Sequence, residues 1–410
     1  MLSIRPVLSL ILAVWFLQLA GGMLSVLTPV GLSELGVSPV GIGVVAGLHA
    51  AGFMAGAFFA PRLIGELGNI RIFAAAAALT AIGAISQGLW VSEFGWAAAR
   101  FIQGAAFAGM FAAAEAWLGR VTPPNKRGSV LGTYNVAAKA ALLIGPLIIV
   151  DLTALEPRNF LWCGLFLAAA LLPVCMTRRQ EPPRIATPTL PVLRLLKLSP
   201  AAAAGVFLAG MVNTGTLALL PVFAASLTTD ANALATAAIA YSVANVGGLL
   251  SQWPAGRLSD RMDRRNVVAI MAGISGIAAI MLSTLSGVLS TQFIYALLFV
   301  WGAGSLSFYG VCIAHGVDRV EDKDMTSMMS MLLLVWATGS VLGPIIAGTV
   351  MRSWLGPAGL FIFTGAALFV LVGIMLIRRL GRAPVPEEDQ SDWQPAMPAG
   401  LPGGELDPRT

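Results

Sequence analysis

The placement of basic residues along this chain points to a membrane-crossing fold. Twelve apolar stretches are predicted at 7–30, 40–61, 72–91, 96–118, 128–150, 159–177, 200–223, 233–254, 266–286, 290–313, 326–350 and 358–377. Each is about long enough to cross the ~30 Å hydrocarbon core as a helix. If the chain starts on the cytoplasmic side, 21 of its 25 Lys and Arg residues fall in that side's connections and termini. Only Arg158 and Arg352 fall on the other side, and Arg100 and Lys139 lie inside helices. Translocated loops shed Lys and Arg, so both termini are expected in the cytoplasm. The first stretch is longer than a signal-peptide core and eleven more follow it, so it is read as a retained helix. The expected fold class is an all-α membrane protein of twelve transmembrane helices.

Charged residues are 11% of the chain and hydrophobic ones 57%, which leaves too little polar surface for a soluble domain. The net charge of +5 does not indicate nucleic-acid binding, because the basic residues occupy short loops beside spans, next to lipid headgroups. Cys163, Cys175 and Cys312 have no pairing pattern, and His49 and His315 have no ligand-spaced partner, so no metal or cofactor is expected.

The segment 178–199, rich in Pro and basic residues, reads as a cytoplasmic linker between a six-helix bundle at 1–177 and another at 200–380. From 381 to 410 the composition predicts a disordered cytoplasmic tail. The halves carry matching landmarks. Thr28-Pro29 corresponds to Leu220-Pro221, Arg62-Leu63 to Arg257-Leu258, Gly145-Pro146 to Gly343-Pro344, and Glu115 to Asp318. Four matches in order indicate a duplicated unit, which would leave a cleft between halves for alternating access.

The loop after span eight reads Gly256-Arg257-Leu258-Ser259-Asp260-Arg261-Met262-Asp263-Arg264-Arg265. This resembles the loop signature of the major facilitator superfamily, with Asp263 where the pattern has Gly. The strings 251–261, Arg100-Phe101-Ile102-Gln103-Gly104 with Glu115-Ala116-Trp117-Leu118, and Gly339-Ser340-Val341-Leu342-Gly343-Pro344 are similar to the YcaD-like branch. The resemblance implies two pseudo-symmetric six-helix bundles. On physical grounds, Asp260 is placed to accept N–H groups at the start of span eleven near Thr326. Arg261 and Arg264 are placed to pair with Asp318, which makes a cytoplasmic latch with Gly256 at its turn. The first half has Gly65 where Asp260 would be matched, so its latch is reduced to Glu115 with Arg62 or Arg71.

Ionisable residues inside spans point to function. Arg100, Lys139 and His49 are the candidates here, with no acidic residue at mid-membrane. The resemblance implies that Arg100 faces the cleft and that spans one, four, seven and ten line it, which adds Gln18, Gln103, Asn213 and Tyr309. A cleft with two cations suits an anionic or electron-rich solute. No Walker motif and no catalytic Ser/His, paired-Asp or HExxH arrangement occurs in the spans, so neither an ATP-driven pump nor an enzyme is expected. The leading expectation is a monomeric secondary transporter of the cytoplasmic membrane that moves a small organic solute, with H+ as coupling ion. A non-transporting membrane sensor on the same fold is the alternative.

Overall fold

The computed structural model describes residues 5–122, 127–149, 153–176, 198–228, 232–320 and 324–381. Most of the 178–199 linker and of the 381–410 tail lies outside them. Among the described residues, twelve helices are long and apolar enough to cross a membrane. In chain order these spans are Val7–Glu34, Pro39–Leu67, Asn69–Leu89, Glu93–Gly119, Ser129–Ile148 and Pro157–Cys175. The second six are Pro200–Ala225, Ala233–Ser259, Arg264–Leu285, Thr291–Val317, Ser327–Arg352 and Gly356–Leu380.

Local chemistry sets the helix ends. Pro39 and Pro200 open their spans, where a missing N–H costs nothing. Ser38 and Ser92 cap spans two and four by accepting the Gly41 and Gly95 N–H groups at 3.3 and 3.4 Å. The turns after spans one and two use Gly36 (φ 77°) and Gly68 (φ 89°), in backbone that a side chain would strain. These two glycines mark the opposite faces of the bundle, called below the Gly36 face and the Gly68 face.

Three spans are less regular than their hydropathy suggests. Span five becomes a 3-10 turn at Gly145–Ile148, since Pro146 cannot continue the helical ladder. Span six breaks at Ala170, because the ring of Pro173 clashes with the carbonyl four residues back, that of Ala169. Span ten breaks at Leu306–Ser307, where the Ser307 hydroxyl takes the Ala303 carbonyl at 2.5 Å.

The helices pack through repeated close approaches. A Cβ on Gly104 would strike the His49 carbonyl oxygen, and one on Gly52 the Phe101 carbonyl oxygen, so spans two and four touch backbone to backbone. Gly302 against Ala244 and Gly247 against Phe299 do the same for spans eight and ten, 198 and 195 residues further along. Spans one and five meet through Gly145 and the Leu19 carbonyl, and spans seven and eleven through Gly343 and the Met211 carbonyl. In lipid, where apolar attraction between helices is weak, such small-residue contacts carry much of the association.

The halves meet on the Gly36 side. Gly43 and Gly47 of span two lie against the Pro344 and Val341 carbonyls of span eleven, and Gly348 lies against Pro39. On the other flank, the Ser242 hydroxyl of span eight donates to the Leu143 carbonyl of span five at 2.8 Å. The 3-10 turn beyond Leu143 shifts bonding from i−4 to i−3, which leaves that carbonyl open to an outside donor.

Gly104→Val is expected to push spans two and four apart and cost about 1–3 kcal/mol. Gly132→Ala, with open space at its Cβ, is expected to be neutral or slightly stabilising. Thermal unfolding of both variants in detergent checks this.

Candidate functional site

Arg100, His49, Lys139 and Tyr241 share one layer of the spans. Arg100 lies seven residues into span four from the Gly36 face and His49 ten into span two. Lys139 lies nine residues from the end of span five and Tyr241 eight into span eight. At 1.5 Å per residue these sit about 10–15 Å below the Gly36 face. The Arg100 guanidinium donates to Gln103 Oε1 at 3.2 Å and lies within electrostatic range of Tyr241 of the other half. Tyr241 also lies close to the Ser25 side chain of span one. His49 Nδ1–H donates to the Arg100 carbonyl at 3.0 Å, and its ring stands edge-on to Phe107 with centroids 6.1 Å apart. Lys139 is half-buried and one helical turn from Leu143, so it shares the flank that meets span eight. Among the described residues no carboxylate or hydrogen-bond acceptor engages its amine.

Gln103 and Asn213 are committed elsewhere. Gln103 is fully buried and turns toward span three, donating to the Thr80 carbonyl at 3.4 Å while it holds Arg100. Asn213 is held by the broken part of span ten, donating to the Ser305 carbonyl at 3.1 Å and accepting from the Ser305 hydroxyl at 2.6 Å. Gln18 is buried in span one. Tyr309 packs on Trp336 with centroids 5.9 Å apart, and Trp336 meets Phe53 of the opposite half at 6.5 Å. Of this aromatic bridge the sequence pointed to Tyr309 alone; Phe53, Trp336, Ser25 and Ser242 escaped it. Their residue types are common in any span, and nothing in the local sequence says which way they point.

On the Gly68 face, the second half carries a buried ion pair. Arg264 Nε and Asp318 Oδ2 are 2.8 Å apart, with both side chains 1% exposed. Arg261, expected to join this pair, is exposed instead, because span nine begins only at Arg264 and the loop carries Arg261 outward. Asp260 is exposed at the end of span eight, its N–H bonded to the buried Gly256 carbonyl at 3.1 Å.

Asp263, the departure from the family loop, caps span nine by accepting the Arg265 N–H at 3.0 Å and pairs with the Arg265 side chain at 2.7 Å. Arg265 also donates to the Arg378 carbonyl at 2.7 Å, which ties span nine to the end of span twelve. Burial opposes ionisation of Asp263, but the bonds from the Arg265 side chain and N–H outweigh it and hold the carboxyl below the usual range.

In the first half Glu115 is buried beside Tyr134, about 33 Å from the Gly36 face by helical rise. Its expected partners do not reach it. Arg62 is exposed over the Phe58 ring, 5.6 Å from its centroid, and Arg71 is exposed at the start of span three. Their stations at helix ends direct both side chains outward.

Twelve membrane-crossing helices with polar groups enclosed between two halves define a polytopic membrane transporter. The family model of the Major Facilitator Superfamily matches residues 10–319 and, in a second match, 202–402, and the chain belongs to that family. The uncharacterized MFS-type transporter YcaD of Salmonella enteritidis PT4 is 27% identical over 386 residues, covering 93% of this chain and 98% of that one. Its Salmonella typhi counterpart is 26% identical over the same length. The nucleoside transporter NupG superposes with a TM-score of 0.75 at 15% identity, covering 92% of this chain and 99% of that one. A bacterial homolog to the human lysosomal transporter Spinster, inward-facing and occupied, gives 0.72 at 15% identity, covering 95% and 98%. These two structures share the fold. The protein is therefore a multi-pass protein of the cytoplasmic membrane.

Asp318→Ala leaves the buried Arg264 charge without its carboxylate and is expected to cost about 3 kcal/mol or more, whereas Arg261→Ala should stay within about 0.5 kcal/mol. Asp263 has a lowered folded-state pKa, so its contribution is complete above about pH 4 and fades as pH falls through that lower value. Melting curves should therefore show Asp263→Asn below the wild type at neutral pH, with the gap closing in acid.

Proposed function

We propose that the protein is a secondary transporter that moves a small organic solute with an anionic or electron-rich group by alternating access. In this reading 1–177 and 200–380 are the rocking halves, joined by 178–199, and a single chain is the working unit. The Gly68 face, which carries most of the basic loops, is cytoplasmic, and the Gly36 face is external. One observation carries the solute assignment: Arg100 and the unpartnered Lys139 share a layer between the halves with no carboxylate at that depth. A cation held in lipid without a counter-ion is costly unless a ligand supplies the opposite charge.

The backbone contacts between halves at Gly43, Gly47 and Gly348 lie toward the Gly36 face, which supports an external side that is closed. On the other flank, Ser242 of span eight bonds the Leu143 carbonyl of span five. This bond is a bolt that breaks when the outer side opens. His49, with Nδ1 fixed on the Arg100 carbonyl and Nε2 left as the acceptor, is the proton-binding group of the coupling step.

In proteoliposomes, uptake of organic anions is expected to exceed that of cations and to rise with an imposed pH gradient. Arg100→Ala and Lys139→Gln should each lower anion uptake about tenfold or more, the scale of a lost charge-assisted hydrogen bond. Uptake confined to cationic solutes would sink this reading. Ser242→Ala removes one hydrogen bond of about 1 kcal/mol. It should raise labelling of Asn245→Cys by an external impermeant maleimide about fivefold, in a background without other cysteines.

A further inference from the structure

The three rings of Phe53, Trp336 and Tyr309 form a chain that crosses from one half to the other, edge-on between Phe53 and Trp336 at 74° and tilted between Trp336 and Tyr309 at 49°. They come from spans two, eleven and ten, at about 21–27 Å below the Gly36 face by helical rise. That is roughly 10 Å deeper than the layer of Arg100 and Lys139.

All three side chains keep part of their surface accessible, and that surface does not face lipid. On span eleven the exposed residues Leu334, Thr338, Leu342 and Ile346 form one stripe. Trp336 stands about 140° round the helix from it. Phe53 stands about half a turn from exposed Val44. Tyr309 belongs to the Phe308–Val317 segment, in which no residue is exposed. Rings that were only packing filler would be fully buried, as Phe223 and Phe361 are at 1% and 0% exposure. The accessible rings therefore line interior space between the halves. Ligand sites of this kind combine an aromatic wall with a few polar groups that fix orientation.

We propose that the transported solute is an aromatic organic anion, its ring seated against Trp336, Phe53 and Tyr309 and its acidic group drawn toward Lys139 and Arg100. The inference rests on the transporter reading above and adds the shape and chemistry of the solute body. A planar ring meets Trp336 and Tyr309 in offset or edge-on geometry, a preference that a saturated ring of the same size and charge lacks. The acidic group gives Lys139 the partner that the protein itself does not supply.

The test is uptake into proteoliposomes of the full chain with indole-3-acetate, 4-hydroxybenzoate, cyclohexanecarboxylate and tetraphenylphosphonium. The aromatic carboxylates are expected to enter about three- to tenfold faster than cyclohexanecarboxylate. Trp336→Leu should erase that ratio yet keep the preference for anions over the cation, and Trp336→Phe should restore part of it. Equal entry of aromatic and saturated carboxylates would overturn the aromatic assignment and leave the anion transporter standing. Entry of tetraphenylphosphonium alone, or of none of the three carboxylates, would overturn both.

Discussion

Backbone meets backbone at many of the crossings that hold this molecule together. Lipid tails are as apolar as the side chains they replace, so twelve helices cannot be gathered by the exclusion of water. Glycines at 52, 104, 145, 247, 302 and 343 remove the side chain at each crossing, so that a carbonyl of the facing helix fills the space. The same device joins the halves at Gly43, Gly47 and Gly348, but only toward the Gly36 face. Glycine contacts that hold each half rigid recur in both halves, whereas those between halves lie toward one end and the Phe53–Trp336 contact lies deeper.

Against that apolar frame, the polar groups sort into satisfied and waiting ones. Asn213, Gln103, Ser242 and the Thr216–Thr364 pair at 2.7 Å all close their bonds within the protein. Lys139 does not, although a half-buried amine inside a span is expensive to leave without an anion. The Arg264–Asp318 pair is the converse case, a charge brought inside together with its counter-charge to tie spans nine and ten at the Gly68 face. That pair keeps two helix ends in register; in the function proposed above, Lys139 is completed by the acidic group of the solute.

The positions of the spans were legible to within a few residues, because twenty apolar residues in a row have one solution in a bilayer. The breaks in spans five and six followed from Pro146 and Pro173, residues visible in advance, yet hydropathy averages pass over them. The latch was legible only in part. Arg264 and Asp318 could be named from the loop motif, but Arg261 lies three residues away, and only the start of span nine decides which arginine turns inward. Asp263 looked like a lapse from the pattern and proved to be a helix cap and a clamp for Arg265.

The linear sequence by itself determined membrane residence, the number of crossings, the duplication and the presence of unpaired cations at depth, since all of these follow from length, period and charge along one dimension. Which side chains share a layer was decided by tertiary structure alone. The contact of Phe53 with Trp336 joins residues nearly three hundred positions apart, and the bond from Ser242 to Leu143 joins residues about a hundred apart. Helix rotation and the direction of each crossing set these meetings. Both depend on packing against neighbours that no local stretch of sequence contains.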